Sequence, residues 1–152
     1  MDTREIQTKT QGPVTITEEQ TLSFVTGLLG FEDEKEFALI PSNYEPFFWL
    51  QSLKTAALAF LVVDPFLVRK DYEVDIDDKS LEAIGVSSPA DVGVLGIVTA
   101  PSRPGQGVTV NLQGPIIINK RNRKCFQAVL TDTTWTTKHE IAAELQKRSA
   151  PC

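Results

Sequence analysis

Pro46-Phe47-Phe48-Trp49-Leu50-Gln51-Ser52 and, a few residues on, Leu58-Ala59-Phe60-Leu61-Val62-Val63-Asp64-Pro65 decide the fold. Each is an apolar, aromatic-rich run bounded by proline and polar breaks. Each is too short to stand alone as a helix and has the length of a buried strand. β-Branched and aromatic side chains suit a pleated, covered surface. Their alternation places Phe47, Trp49, Leu58, Phe60 and Val62 in the core, with Leu50 and Leu61 on the opposite, partly covered face. Neither run carries a catalytic side chain. A chain whose most distinctive residues build core is expected to act through its surface rather than by chemistry.

The same short period runs outward in both directions. Residues 6–10, 14–17 and 21–25 alternate, separated by Gly12-Pro13 and by the polar Glu18-Glu19-Gln20. Gly27-Leu28-Leu29-Gly30-Phe31-Glu32 breaks the pattern with two glycines, as a conformationally demanding loop that still buries Leu28 or Phe31. Residues 37–41 form the next strand, ended by Pro41. In residues 72–76, Tyr72, Val74 and Ile76 share one face, and Glu73 and Asp75 the other. Residues 78–85 read as a short helix, capped by Asp77 or Asp78 and ended by Gly85.

Residues 91–99 are a strand, and residues 107–119 two strands or one strand bent at Gly114-Pro115. Arg121-Asn122-Arg123-Lys124 is a basic turn into an apolar run, residues 125–130. Residues 138–148 set Ile141, Ala142 and Leu145 against charges and are compatible with a helix. About ten short strands and two short helices follow, without a strand-helix-strand rhythm. The fold class expected is all-β and mainly antiparallel, a small barrel or sandwich. It forms a single domain over residues 1–152, with a flexible tail after about residue 146.

The bulk properties narrow the function. With 152 residues, 41% of them hydrophobic, the chain has enough for one packed core and little for a second. A net charge of −5 disfavours binding to a nucleic-acid backbone, which needs clustered Lys and Arg, and suits a basic protein partner. Met1-Asp2-Thr3-Arg4-Glu5 is not followed by an apolar stretch, so no secretory leader is expected. No apolar run approaches membrane-spanning length. Cys125 lies in an apolar run and Cys152 is the last residue, a poor pair for a disulfide. A cytoplasmic location is the simpler expectation.

No catalytic, cofactor or metal site is expected. His139, between Lys138 and Glu140, is the only histidine and reads as an exposed surface residue. There is no Gly-x-Ser-x-Gly elbow and no zinc-ligand spacing. Gly105-Gln106-Gly107 lacks the rest of a phosphate-cradling loop. Asp75-Ile76-Asp77-Asp78 lacks the central Gly and final Glu of a calcium loop. The charge distribution is more informative. Asp71, Glu73, Asp75, Asp77, Asp78, Glu82 and Asp91 fall together, with Lys79 the only base among them. They serve either as a solubilising face that blunts an exposed edge or as a dock for a basic protein.

Several segments, in order, are similar to one family. They are Gly27-Leu28-x-Gly30-Phe31-Glu32, Pro46-Phe47-x-Trp49-Leu50-Gln51-Ser52, Leu58-Ala59-Phe60 with Asp64-Pro65, Asp71-Tyr72, and Thr109-Val110-Asn111-Leu112-x-Gly114-Pro115-Ile116. Together they resemble the FliW family of bacterial flagellar assembly factors, from about residue 6 to about residue 145. Gly114 stands where the family pattern carries Ala, and Trp135 where it carries Tyr.

The resemblance implies a cytoplasmic, non-enzymatic protein with two mutually exclusive partners. One is flagellin, held before export; the other is CsrA, a small RNA-binding translational repressor. Freed by flagellin export, the protein would bind CsrA and release flagellin mRNA for translation. The partner-binding residues expected are Glu32, Asp71, Tyr72, Glu73, Asp75 and Asn111. For two of these a structural role is equally open: Asn111 as the hydrogen-bonding residue of a bend, Tyr72 as core with its hydroxyl at the rim. The alternatives are a small enzyme working through carboxylates such as Glu32 and Asp71, or a β-domain that only scaffolds a complex.

Overall fold

The computed structural model describes residues 3–28, 30–100 and 107–141. The strands are β1 (Thr3–Thr8), β2 (Gly12–Thr17), β3 (Thr21–Phe24), β4 (Glu36–Pro41), β5 (Phe48–Ser52), β6 (Ala59–Val63), β7 (Val92–Thr99), β8 (Thr109–Asn119), β9 (Lys124–Gln127) and β10 (His139–Glu140). Two short helices, α1 (Pro65–Val68) and α2 (Asp78–Ala83), lie between β6 and β7. One sheet runs β10-β8-β7-β6-β5-β4-β3-β9, and β9 pairs again with β8. That last pairing closes β3 to β9 into a seven-strand barrel and leaves β10 outside the ring. Closure removes the sheet edges that an open sheet would expose. All its pairings are antiparallel except β3 with β9, which is parallel.

The barrel interior holds Leu22, Phe24, Leu28, Phe37, Leu50, Val62, Ile116, Ile118 and Cys125. The register pairs Phe48 with Val62 and Leu50 with Phe60, so these four face inward. Trp49 pairs with Leu61, and both face outward. The alternation expected for β5 is therefore out of phase: Leu50 is core and Trp49 is on the outer face. The cause is that both faces of β5 are covered. The β1–β2 hairpin lays Ile6 and Ile16 over Ala38, Ile40 and Trp49. Leu61 and Phe47 pack instead against the cluster of Val63, Tyr72, Val110, Leu112 and Trp135. A strand that is apolar on both faces carries no sequence signal for its phase. Leu58 is only half-buried and precedes β6, in the β5–β6 turn.

Polar residues of the same runs organise the turns. Gln51 is buried; its Nε2 donates to the carbonyls of Ala56 at 3.0 Å and Leu58 at 3.1 Å, and its Oε1 accepts from Lys9 N at 2.9 Å. Ser52 Oγ accepts from Thr55 N at 2.9 Å and donates to Glu34 at 3.0 Å. One side chain thus ties the β5–β6 turn to the β1–β2 turn, and the other ties it to the loop before β4.

That loop needs its glycine. Gly27 has φ +76°, and a Cβ there would meet the Glu32 carbonyl at 2.5 Å. Leu28 is buried, and Phe31 stacks edge-on against Phe60 at 5.3 Å while remaining exposed. The structure thus buries Leu28 rather than Phe31.

Strand β8 is one bent strand. Asn111 Oδ1 accepts from Gln113 N at 3.0 Å and Gly114 N at 2.8 Å, which fixes the bend. Opposite it, the β7–β8 register shifts between Leu95 and Ile97. The helix expected from residue 138 does not begin there: His139 and Glu140 pair with Val110 and Thr109 as β10. Ile141, next along, is buried and the first helical residue; residues 142–148 of that expected helix, the expected tail and Cys152 lie outside the described residues.

Candidate functional site

Helix α1 opens the region that carries the candidate residues. Asp64 caps it by accepting from Phe66 N at 2.9 Å, with Pro65 at its first position. Asp64-Pro65 thus starts a helix as well as ending the apolar run of β6. Beyond α1, Arg69 grips Asp71 with two charge-assisted hydrogen bonds, at 2.7 Å and 2.6 Å. The Arg69 guanidinium holds the Asp71 carboxyl below the usual carboxylate range. Asp71 is exposed and stays ionised, which suits a charged contact better than proton transfer.

Tyr72 is buried, and its hydroxyl donates to the Leu112 carbonyl at 2.6 Å. Burial pushes the phenol pKa upward. Trp135 meets Tyr72 edge-on at 4.9 Å and has Arg69 above its ring at 5.1 Å. These contacts join Asp71, Tyr72 and the strand that carries Asn111 into one structural corner. Here Tyr72 and Asn111 support the fold: Tyr72 anchors residues 72–77 to β8, and Asn111 fixes the β8 bend. His139 also corrects its expected role. It is half-buried in β10, its Nε2 accepts from Thr136 N at 2.9 Å, and its ring lies 6.0 Å from Trp135.

Residues 72–77 belong to no strand or helix. The expected alternation holds: Val74 and Ile76 are half-buried, and Glu73 and Asp75 are exposed. Helix α2 follows, capped by Asp77, whose carboxylate accepts from Ser80 N at 3.0 Å and Ser80 Oγ at 2.8 Å. Those bonds hold its carboxyl low in pKa. Asp78 and Glu82 are exposed on α2. Asp71, Glu73, Asp75, Asp77, Asp78 and Glu82 therefore form an exposed acidic strip. Glu32 stands apart, in the loop after β3, with its carboxylate accepting from Gly30 N at 3.2 Å.

Sequence reading missed the apolar counterpart of the strip. Phe66 on α1, Val74, Ile76, Leu81, Val86 and Val94 line a groove of about 650 Å³, with Asp75, Asp78 and Glu82 among its lining residues. Among the described residues, no group of three or more His, Cys, Asp or Glu side chains is placed to hold a metal ion.

Fold and surface define a small closed β-barrel that presents an acidic strip and an adjoining apolar groove. The chain belongs to the FliW protein family, whose sequence profile matches residues 5–141. It is 55% identical over 141 residues to the flagellar assembly factor FliW of Treponema denticola, covering 93% of this chain and 95% of that protein. It is 42% identical to the flagellar assembly factor FliW of Bacillus subtilis, covering 91% of this chain and 97% of that protein. A crystal structure of the flagellar assembly factor FliW superposes with a TM-score of 0.82 at 38% identity, covering 91% of this chain and 96% of that one.

Proposed function

We propose that this protein serves flagellar assembly by protein contact, binding the repressor CsrA and flagellin in turn in the cytoplasm. While flagellin accumulates it occupies the protein; once flagellin is exported, the free protein takes up CsrA and relieves repression of flagellin translation. The single observation that carries the reading is the exposed acidic strip, from Asp71 to Glu82, on a chain of net charge −5. A basic RNA-binding partner is the complementary surface, and the strip's excess of negative charge, with Lys79 its one base, chiefly accelerates the encounter. Membership of the family of flagellar assembly factors supports the biological setting.

The two partners are expected to be negatively coupled, each lowering the affinity of the other by the same factor. A competition titration with purified partners tests this. Saturating flagellin should raise the apparent CsrA dissociation constant. An unchanged constant would leave a scaffold with independent sites.

A further inference from the structure

Most acidic strips are solvated faces, but this one borders an apolar trough. Val74, Ile76, Leu81, Val86, Val92 and Val94 are all half-buried, and Phe66 beside them is 41% exposed. Their other sides pack on the buried Ile84, Ile117 and Ala128, except for Phe66, which rests on Tyr72 at 5.6 Å. The trough is therefore backed by core. Its uncharged polar lining residues are Ser87 and Ser88, and Ser88 accepts from Ala90 N as the cap of a single 3-10 turn.

Charge is entirely one-sided there. Asp75, Asp78 and Glu82 line the trough, and no Lys or Arg does. A volume of about 650 Å³ has room for a few aliphatic side chains. An acidic segment would be repelled, and a purely basic one would leave the apolar floor wet. We propose that this trough is the docking groove for an amphipathic basic segment of a partner protein, its apolar side chains on Val74, Leu81 and Val94 and its Lys or Arg side chains against Asp75, Asp78 and Glu82. The proposal deepens the reading of a contact-making regulator by assigning the groove where the basic partner would anchor. Exposed carboxylates alone give steering; a desolvated apolar anchor gives residence time.

The test uses the full chain and a fluorescent synthetic amphipathic peptide with leucine on one face and lysine on the other. Two control peptides replace the lysines by glutamate or the leucines by serine. The leucine-lysine peptide is expected to bind at least about tenfold more tightly than either control. The double variant Asp75→Lys with Glu82→Lys should weaken it about tenfold or more, as should the groove-filling Ser87→Trp. Glu5→Lys with Glu45→Lys, an equal charge change at exposed positions elsewhere, should change it less than about twofold.

Thermal unfolding of each variant checks its fold, and the charge double variant decides if Ser87→Trp does not fold. Equal binding of the serine-lysine peptide would reduce the site to a charge cluster and overturn the proposal. So would equal weakening by the control charge pair, or peptide-sensitive self-association showing that a second copy fills the trough. CsrA is titrated against the same variants. CsrA binding that ignores every groove variant overturns the groove and leaves the regulatory reading intact. No CsrA binding to the unaltered chain overturns the regulatory reading.

Discussion

The barrel wall and residues 72–77 both turn successive side chains to opposite faces, and hold that arrangement by different means. In β4, β5 and β6 the backbone is paired on both sides, and Phe37, Leu50 and Val62 have essentially no exposed surface. In residues 72–77 no strand pairs with the backbone, and the segment is pinned by the Tyr72 hydroxyl at one end and the Asp77 cap at the other. In residues 72–77 a period-two pattern thus reports which side chains face inward although no sheet holds them, whereas β5 is held by the sheet and, apolar on both faces, carries no such report. The difference separates duties. The wall carries stability, and the pinned segment presents Glu73 and Asp75 to solvent at little cost to the core.

The sharpest test of the wall's side of this comparison is to truncate the same residue type on its inner and its outer face. Leu50→Ala empties a site in the closed interior and should destabilise by about 2–5 kcal/mol. Leu61→Ala, on the outer face and half-buried, should cost clearly less because less apolar area returns to water. Chemical denaturation of both variants measures this. Equal costs, or a larger cost at Leu61, would reverse the phase assigned to β5.

How far the sequence reveals this follows from the same contrast. Strand positions, the all-β class, the cap and stop of α2 and the inward set of residues 72–76 are legible because turn residues and one-sided patterning are local. The phase of β5 is not, because the hairpin that covers Trp49 lies far away in sequence. Helix α1 is hidden inside an apolar run that ends in Asp64-Pro65. Of the candidate site residues, Asp71, Glu73 and Asp75 are exposed as a contact site requires, but Tyr72 and Asn111 have local structural work. The groove is not legible either, since Phe66, residues 74–78, α2, residues 86–89 and the start of β7 line one trough only once the chain has folded back on itself.

A smaller effect is expected where the pinned segment meets the barrel. Tyr72→Phe keeps the ring against Trp135 and removes the hydroxyl that satisfies the Leu112 carbonyl. Leaving that buried acceptor unpaired should cost about 1–3 kcal/mol. Calorimetric unfolding checks it. Asp71→Asn, by comparison, alters only an exposed ion pair and should leave the melting temperature nearly unchanged.

Alkaline pH joins the two regions, since each holds one buried weak acid. Burial, then the charge of Glu36, raises the Cys125 thiol, and burial raises Tyr72. Both groups keep their protons in the folded state beyond the pH at which the unfolded chain loses them. Their contribution is full below the unfolded values, about 8.5 for Cys and about 10 for Tyr, and is lost as pH rises towards the folded values. Stability should fall from about pH 8.5, with a limiting slope of about 1.4 kcal/mol per pH unit for each group. Cys125→Ala should move the onset up towards pH 10, and denaturation at stepped pH reads it. An unchanged onset would remove Cys125 from the effect.

The smallest expected change in stability carries the largest functional consequence. Reversing Glu73 and Asp75 to Lys alters side chains that point away from the half-buried Val74 and Ile76, so the melting temperature should move little. The charge facing a basic partner changes sign at both positions. Encounter is governed by the field over several ångströms and is screened by salt, with a Debye length of about 8 Å at physiological ionic strength. Association with CsrA should therefore slow, most of all at low salt, and its dependence on salt should flatten. Dissociation should change less, because residence depends on the desolvated contacts that form after encounter. Stopped-flow kinetics at low and moderate salt separate these effects. If the association rate and its salt slope both match the unaltered chain, the strip is a solvated face, and the pinned segment differs from the barrel wall only in how it is held.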